Sequence, residues 1–200
     1  MNCFGNTESS SNDHKMNNGI YLDARTNKFT LENNIIINCG TGILLNDKTR
    51  DCIVRNNLSF GNHESAIGIV QAILFKDLGH LVEDNIFFNT YNRKSTLTLT
   101  NNREPRIEPG IIRNNIYVSP KEMFHIKTIE VQKRKWKNTR EYTLEGWQDE
   151  WGLGSNAVFV DLGTDQKFVK SKVLINESNQ MKTIDPEPGF VYKDIHNNMI

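Results

Sequence analysis

The 200-residue sequence lacks an excess of charge: 24 basic side chains are balanced by 24 acidic ones. That balance argues against a nucleic-acid or anionic-membrane partner. Cysteine is scarce, with only Cys3, Cys39 and Cys52. An odd count without framework spacing argues against a disulfide-stapled scaffold, and small buried thiols are expected instead. No apolar run reaches membrane-spanning length, and residues 1–20 lack the apolar region of a signal peptide. The five histidines, His14, His63, His80, His125 and His196, have no metal-ligand spacing to one another, which argues against zinc. No dense Asp/Glu cluster indicates calcium, and no phosphate-binding glycine loop, nucleophile elbow or dinucleotide fingerprint is present. No cofactor is expected.

What the chain does have is asparagine, set among short runs of Ile, Leu, Val and Phe. Asparagine favours turns and tolerates left-handed φ. Four segments repeat: Thr30-Leu-Glu-Asn-Asn34-Ile-Ile-Ile37, Ile53-Val-Arg-Asn-Asn57-Leu-Ser-Phe60, Leu81-Val-Glu-Asp-Asn85-Ile-Phe-Phe88 and Ile111-Ile-Arg-Asn-Asn115-Ile-Tyr-Val118. The anchor Asn recurs after 23, 28 and 30 residues. Apolar residues three before the anchor, and one and three after it, alternate with polar or variable positions, as in half-buried strands. The anchor breaks the alternation and so marks a corner. Stacked corners about 4.8 Å apart would form a ladder of Asn side chains.

Two before the anchor stand Glu32, Arg55, Glu83 and Arg113, with the sign alternating at each repeat. Opposite charges stacked on neighbouring strands support that register, and their bland role is a solvated stripe of ion pairs. A second strand precedes each anchor. Gly19-Ile-Tyr-Leu-Asp23 and Gly42-Ile-Leu-Leu-Asn46 share the 23-residue offset, and Ile69–Ile73 and Leu97–Thr100 continue the stack. Several short strands per repeat, with no helices between them, point to a β-solenoid. Phe4-Gly-Asn6 matches Phe60-Gly-Asn62, so the chain reads as starting in mid-coil, with upstream coils expected in a parent protein.

On the motifs Gly19-Ile-Tyr-Leu-Asp23 and Glu32-Asn-Asn-Ile35, the chain resembles the right-handed parallel β-helix proteins of the pectin-lyase-like superfamily. The resemblance covers roughly residues 1–120. It implies an all-β right-handed parallel β-helix over 1–120, with an irregular appendage over 121–200 packing on the end of the solenoid. It also implies a bacterial carbohydrate-active protein, secreted or periplasmic, monomeric, with a polysaccharide as substrate or ligand.

Beyond Pro120 the period is lost. Lys133-Arg-Lys-Trp136-Lys reads as a solvated basic face. Thr143 to Trp151 fits a short helix with Thr143 as N-cap and Gly152 just past its end. Trp147 and Trp151, four apart, would share a face packed over the end of the solenoid. Gly154-Ser-Asn156, Phe159-Val-Asp161 and Asp185-Pro-Glu-Pro-Gly-Phe190 resemble the closing segments of bacterial β-helix proteins. The chain stops soon after, and truncation is expected there too.

A glycoside hydrolase needs two carboxyl groups, and stacked coils can supply them. Asp23 faces outward on the first strand, with Asn46 as its equivalent one coil on and Asp47 next to that. Asp23, Asp47 and Glu64 are the candidate catalytic acids, with strand-ending turn residues as the plain alternative for the two aspartates. A lyase needs a base and a cation. Arg25 and Lys48, 23 apart, form a two-step basic column able to bind uronates, or simply a solvated turn. Tyr21 and His63 complete the candidate substrate contacts. His80 shares a core-adjacent column with Phe29 and Cys52 and is read as a packed histidine. A non-catalytic glycan-binding or structural module, or a fragment without independent activity, is the alternative to an enzyme.

Overall fold

A computed structural model describes residues 2–4, 17–23, 25–71, 77–89, 95–101, 108–119, 126–132 and 135–161. The chain divides into two compact units, Met1–Lys167 and Phe168–Ile200, and every described residue belongs to the first. The closing motif at Asp185–Phe190 lies outside the described residues.

After β1 (Asn2–Phe4), the strands come in threes. The first three are β2 (Ile20–Leu22), β3 (Thr30–Glu32) and β4 (Ile35–Ile37). Next come β5 (Thr41–Leu45), β6 (Ile53–Arg55) and β7 (Leu58–Phe60). The third set is β8 (Ser65–Gln71), β9 (Asp77–Glu83) and β10 (Ile86–Phe88). The fourth is β11 (Ser95–Asn101), β12 (Glu108–Arg113) and β13 (Ile116–Ser119). The described chain ends with β14 (Ile126–Gln132), β15 (Lys135–Tyr142), helix α1 (Leu144–Trp151) and β16 (Val158–Asp161).

Apart from β15, every third strand joins the same sheet. The first sheet runs β1-β4-β7-β10-β13-β16, the second β2-β5-β8-β11-β14-β15, the third β3-β6-β9-β12. All pairings are parallel except β14–β15. The fold is therefore all-β, three mostly parallel sheets with one short helix, consistent with a β-solenoid. The sheets run on past Pro120: β14 pairs with β11, and β16 with β13.

The Asn-Asn pairs divide the labour of the corner between the third and first sheets. The first member, Asn33, Asn56, Asp84 or Asn114, sits at φ 54–57°. Asn and Asp enter the left-handed region at lower cost than other side-chain-bearing residues. The second member turns inward and forms the ladder. Asn34 Nδ2 donates to Asn57 Oδ1 (2.9 Å), Asn57 to Asn85 (3.0 Å) and Asn85 to Asn115 (2.9 Å). The same oxygens accept the backbone N–H of the preceding rung, each at 3.0 Å. Buried corners thus keep their polar groups paired. Asn156 repeats the left-handed corner, but Ala157 follows it, so the ladder stops there.

The charged column stacks as Glu32, Arg55, Glu83 and Arg113 in register. Arg55 Nη2 lies 2.7 Å from Glu32 Oε2, and Arg113 Nη2 2.8 Å from Glu83 Oε2. Exposed pairs of this kind contribute about 0–1 kcal/mol each.

On the first sheet the alternation has an unforeseen sense. Ile36, Ser59, Phe87 and Tyr117, the variable position, are fully buried. The apolar columns beside them, Ile35/Leu58/Ile86/Ile116 and Ile37/Phe60/Phe88, are half-buried. They lie on the sheet's other face, where the Phe60 and Phe88 rings meet at 4.7 Å, tilted by 44°. Inside, Ile43, Leu45, Ile67, Ile69, Leu97 and Leu99 of the second sheet meet Val54, Val82 and Ile112 of the third.

Helix α1 starts at Thr143, whose side chain accepts from the Gly146 N–H, and ends at Gly152 in left-handed conformation. Trp147 is fully buried in the main core, with Gly154 so close that a Cβ there would collide with its ring. Trp151 packs against the same core as a partly buried side chain. Both tryptophans are packing residues.

Candidate functional site

The outer face of the second sheet carries a groove. Inward residues alternate with outward ones, so register sets its floor. The outward column reads Tyr21, Leu44, Gly68, Thr98, Lys127 across β2, β5, β8, β11 and β14. The groove encloses about 260 Å³. Five hydroxyl-bearing residues line it, Thr41, Ser65, Ser95, Thr98 and Thr100, beside the apolar Leu44, Val70 and Ile129, with Glu64 and Lys127 as charged members. Ser95 Oγ and Thr98 Oγ1 are 2.7 Å apart and share a hydrogen.

Gly68 makes the hollow. Its backbone is not in the left-handed region, so conformation does not demand glycine there. A Cβ would meet the end of Leu44 at 3.0 Å and Thr41 and Ser65 at 3.5 and 3.7 Å. Glycine inside a strand weakens it, and often marks where another molecule approaches the backbone.

One coil beyond Leu44, Tyr21 begins a polar cluster. Asn46 Nδ2 donates to Tyr21 Oη (2.7 Å) and to Asp23 Oδ1 (2.9 Å). The Tyr21 phenol is pushed above its ordinary range, first by desolvation, then by its hydrogen bond to Asp23 and that carboxylate's charge; Asp47 adds to the same direction. Tyr21 is 47% exposed, so its ring is available at the surface.

The candidate residues thus fall into three groups. Tyr21, Asp23 and Asp47 gather around Asn46. Glu64 lines the groove, with half-buried His63 before it in the turn that leads to β8. Arg25 and Lys48 sit at left-handed turn positions, φ 71° and 65°, and neither lines the groove floor. Lys48 Nζ lies 3.5 Å from Asp47 Oδ2. Sequence reasoning missed Asn46 as the hub of the cluster, and missed the hydroxyl floor. The alternation Leu97-Thr98-Leu99-Thr100 was the available signal: its leucines are fully buried and its threonines face the groove.

Among the described residues, no three His, Cys, Asp or Glu side chains are grouped as metal ligands. Among them too, no helix is long and apolar enough to cross a membrane. No protein-family model, curated protein or solved structure matches the chain.

Proposed function

We propose that the chain is a right-handed parallel β-helix of the pectin-lyase-like kind, and that the outer face of its second sheet binds a polysaccharide. The carrying observation is the groove: a hydroxyl-lined floor opened by Gly68 in the middle of a parallel sheet. A polymer of sugars needs repeated donors and acceptors along one line, and stacked strands supply them about every 4.8 Å. An exposed aromatic ring at the Tyr21 end adds an apolar surface for a sugar face. An extracellular or periplasmic setting fits such a ligand.

The test is Gly68→Val. A β-branched side chain suits a strand and fills the groove once the flexible end of Leu44 yields, and an unchanged β-sheet circular dichroism spectrum checks that the fold is kept. Calorimetric titration of the full chain across a polysaccharide panel should show binding by the parent and at least a tenfold loss in the variant. Equal binding by both proteins, or none by the parent, overturns the reading.

Cleavage of the bound glycan is the second reading, favoured by Glu64 in the groove lining and by the two aspartates acting at its Tyr21 end. Hydrolysis requires a second carboxyl about 5–5.5 Å away for retention or ~6.5–9.5 Å for inversion. New reducing ends, lost in Glu64→Gln, would establish it; unsaturated products would mean elimination instead.

A further inference from the structure

Asn46 joins Tyr21 and Asp23 into one hydrogen-bonded cluster. An amide nitrogen carries two hydrogens and a phenol one. Asn46 spends both, on Tyr21 Oη and Asp23 Oδ1. Asn46 therefore has no hydrogen left for a ligand, and the amide and the Asp23 carboxylate can offer it only acceptor oxygens. Asp47 is paired with Lys48 at 3.5 Å, and the Asp23 carboxylate held by Asn46 is what makes this end of the groove electronegative.

Along the rest of the floor the hydroxyls can donate as well as accept, but charged donors are few. Among the described lining residues Lys127 is the one cation, and its Nζ lies 3.9 Å from Glu141 Oε1. No arginine stands among them. A carboxylate ligand calls for charge-assisted donors, best supplied as a guanidinium fork. A sugar hydroxyl brings its own hydrogen and can donate to the oxygens of the cluster.

Resting on the groove reading above, we infer that the ligand is a neutral glycan and not a uronate polymer, with sugar hydroxyls donating to the oxygens of the Tyr21–Asp23–Asn46 cluster. The polyanion is excluded by the electronegative end of the groove as much as by the shortage of cations along it.

The experiment titrates the full chain with a neutral β-glucan and a galactomannan, and separately with polygalacturonate and alginate, at low and moderate salt. The neutral polymers should bind with an affinity that salt does not change, and the uronates at least tenfold more weakly. Asp23 is exposed, so Asp23→Asn keeps the fold. It should weaken neutral binding and strengthen uronate binding at low salt. Uronate binding as tight as neutral binding, or an unchanged preference in Asp23→Asn, overturns this inference and leaves the groove reading standing. Failure of all four polymers to bind overturns both.

Discussion

His80 shows how much one position can carry. It stands in register with Gly110 on one side and, through the Cys52 N–H, with the preceding coil on the other. The imidazole is 1% exposed, and its Nδ1 accepts the Cys52 N–H at 3.2 Å. That bond fixes the neutral ring with its hydrogen on Nε2. Burial lowers its pKa to about 4, against the opposing pull of Asp51 and Asp77. The folded value lies below the unfolded one near 6.5, so the unfolded chain binds the proton first. The stabilisation is complete above pH 6.5 and drains away as pH falls toward 4, by about 3 kcal/mol in all. Urea midpoints measured between pH 7 and pH 4 should record this fall. His80→Gln, which keeps an acceptor for Cys52, should remove most of it; an identical pH profile in the variant would sink the assignment. The column shared with Phe29 and Cys52 was readable from spacing alone, because stacked coils turn equal offsets into contact.

Among the elements, the Asn ladder and helix α1 were legible, because their determinants are local. Asn-Asn encodes a left-handed residue followed by a rung, and Thr143 and Gly152 encode the two ends of the helix. The first sheet was less legible. Both of its faces carry apolar side chains, so alternation cannot say which is inside. Ser59 disguises the inner column further: it is fully buried, and its hydroxyl donates to Ala66 O at 2.8 Å. The groove floor was hidden for another reason. Its column passes through coils of unequal length, so only strand pairing brings Leu44, Gly68, Thr98 and Lys127 into line. The ladder makes its own prediction. Asn85→Ala strips the acceptor from the Asn57 N–H and Nδ2, and a donor from Val54 O and Glu83 O. A buried polar group left unpaired costs about 1–3 kcal/mol. Chemical denaturation should show at least about 2 kcal/mol lost, well beyond what Arg55→Ala on the exposed stripe removes.

At the scale of the whole described unit, each strand but the antiparallel β15 pairs with strands one coil away, so stability approximates a sum over neighbouring coils. Removing residues 35–57 takes out one full period and joins Asn34 to Leu58. The shortened chain should still fold, with its β-sheet circular dichroism kept and a lower urea midpoint. The deletion also sets Glu32 against Glu83, which are like charges. Glu32→Arg in the shortened chain should recover part of the loss, and no recovery would show that the stripe does not guide stacking. The ladder adds a direction to this arrangement. Every amide hands its hydrogen forward, from Asn34 to Asn57 to Asn85 to Asn115. The row is thus a vector with a head and a tail, and its two ends are chemically unlike. A coil joining at the tail must bring hydrogens, and one joining at the head must bring oxygen. Ala157 brings no side-chain oxygen, and so punctuates the row as a full stop closes a sentence.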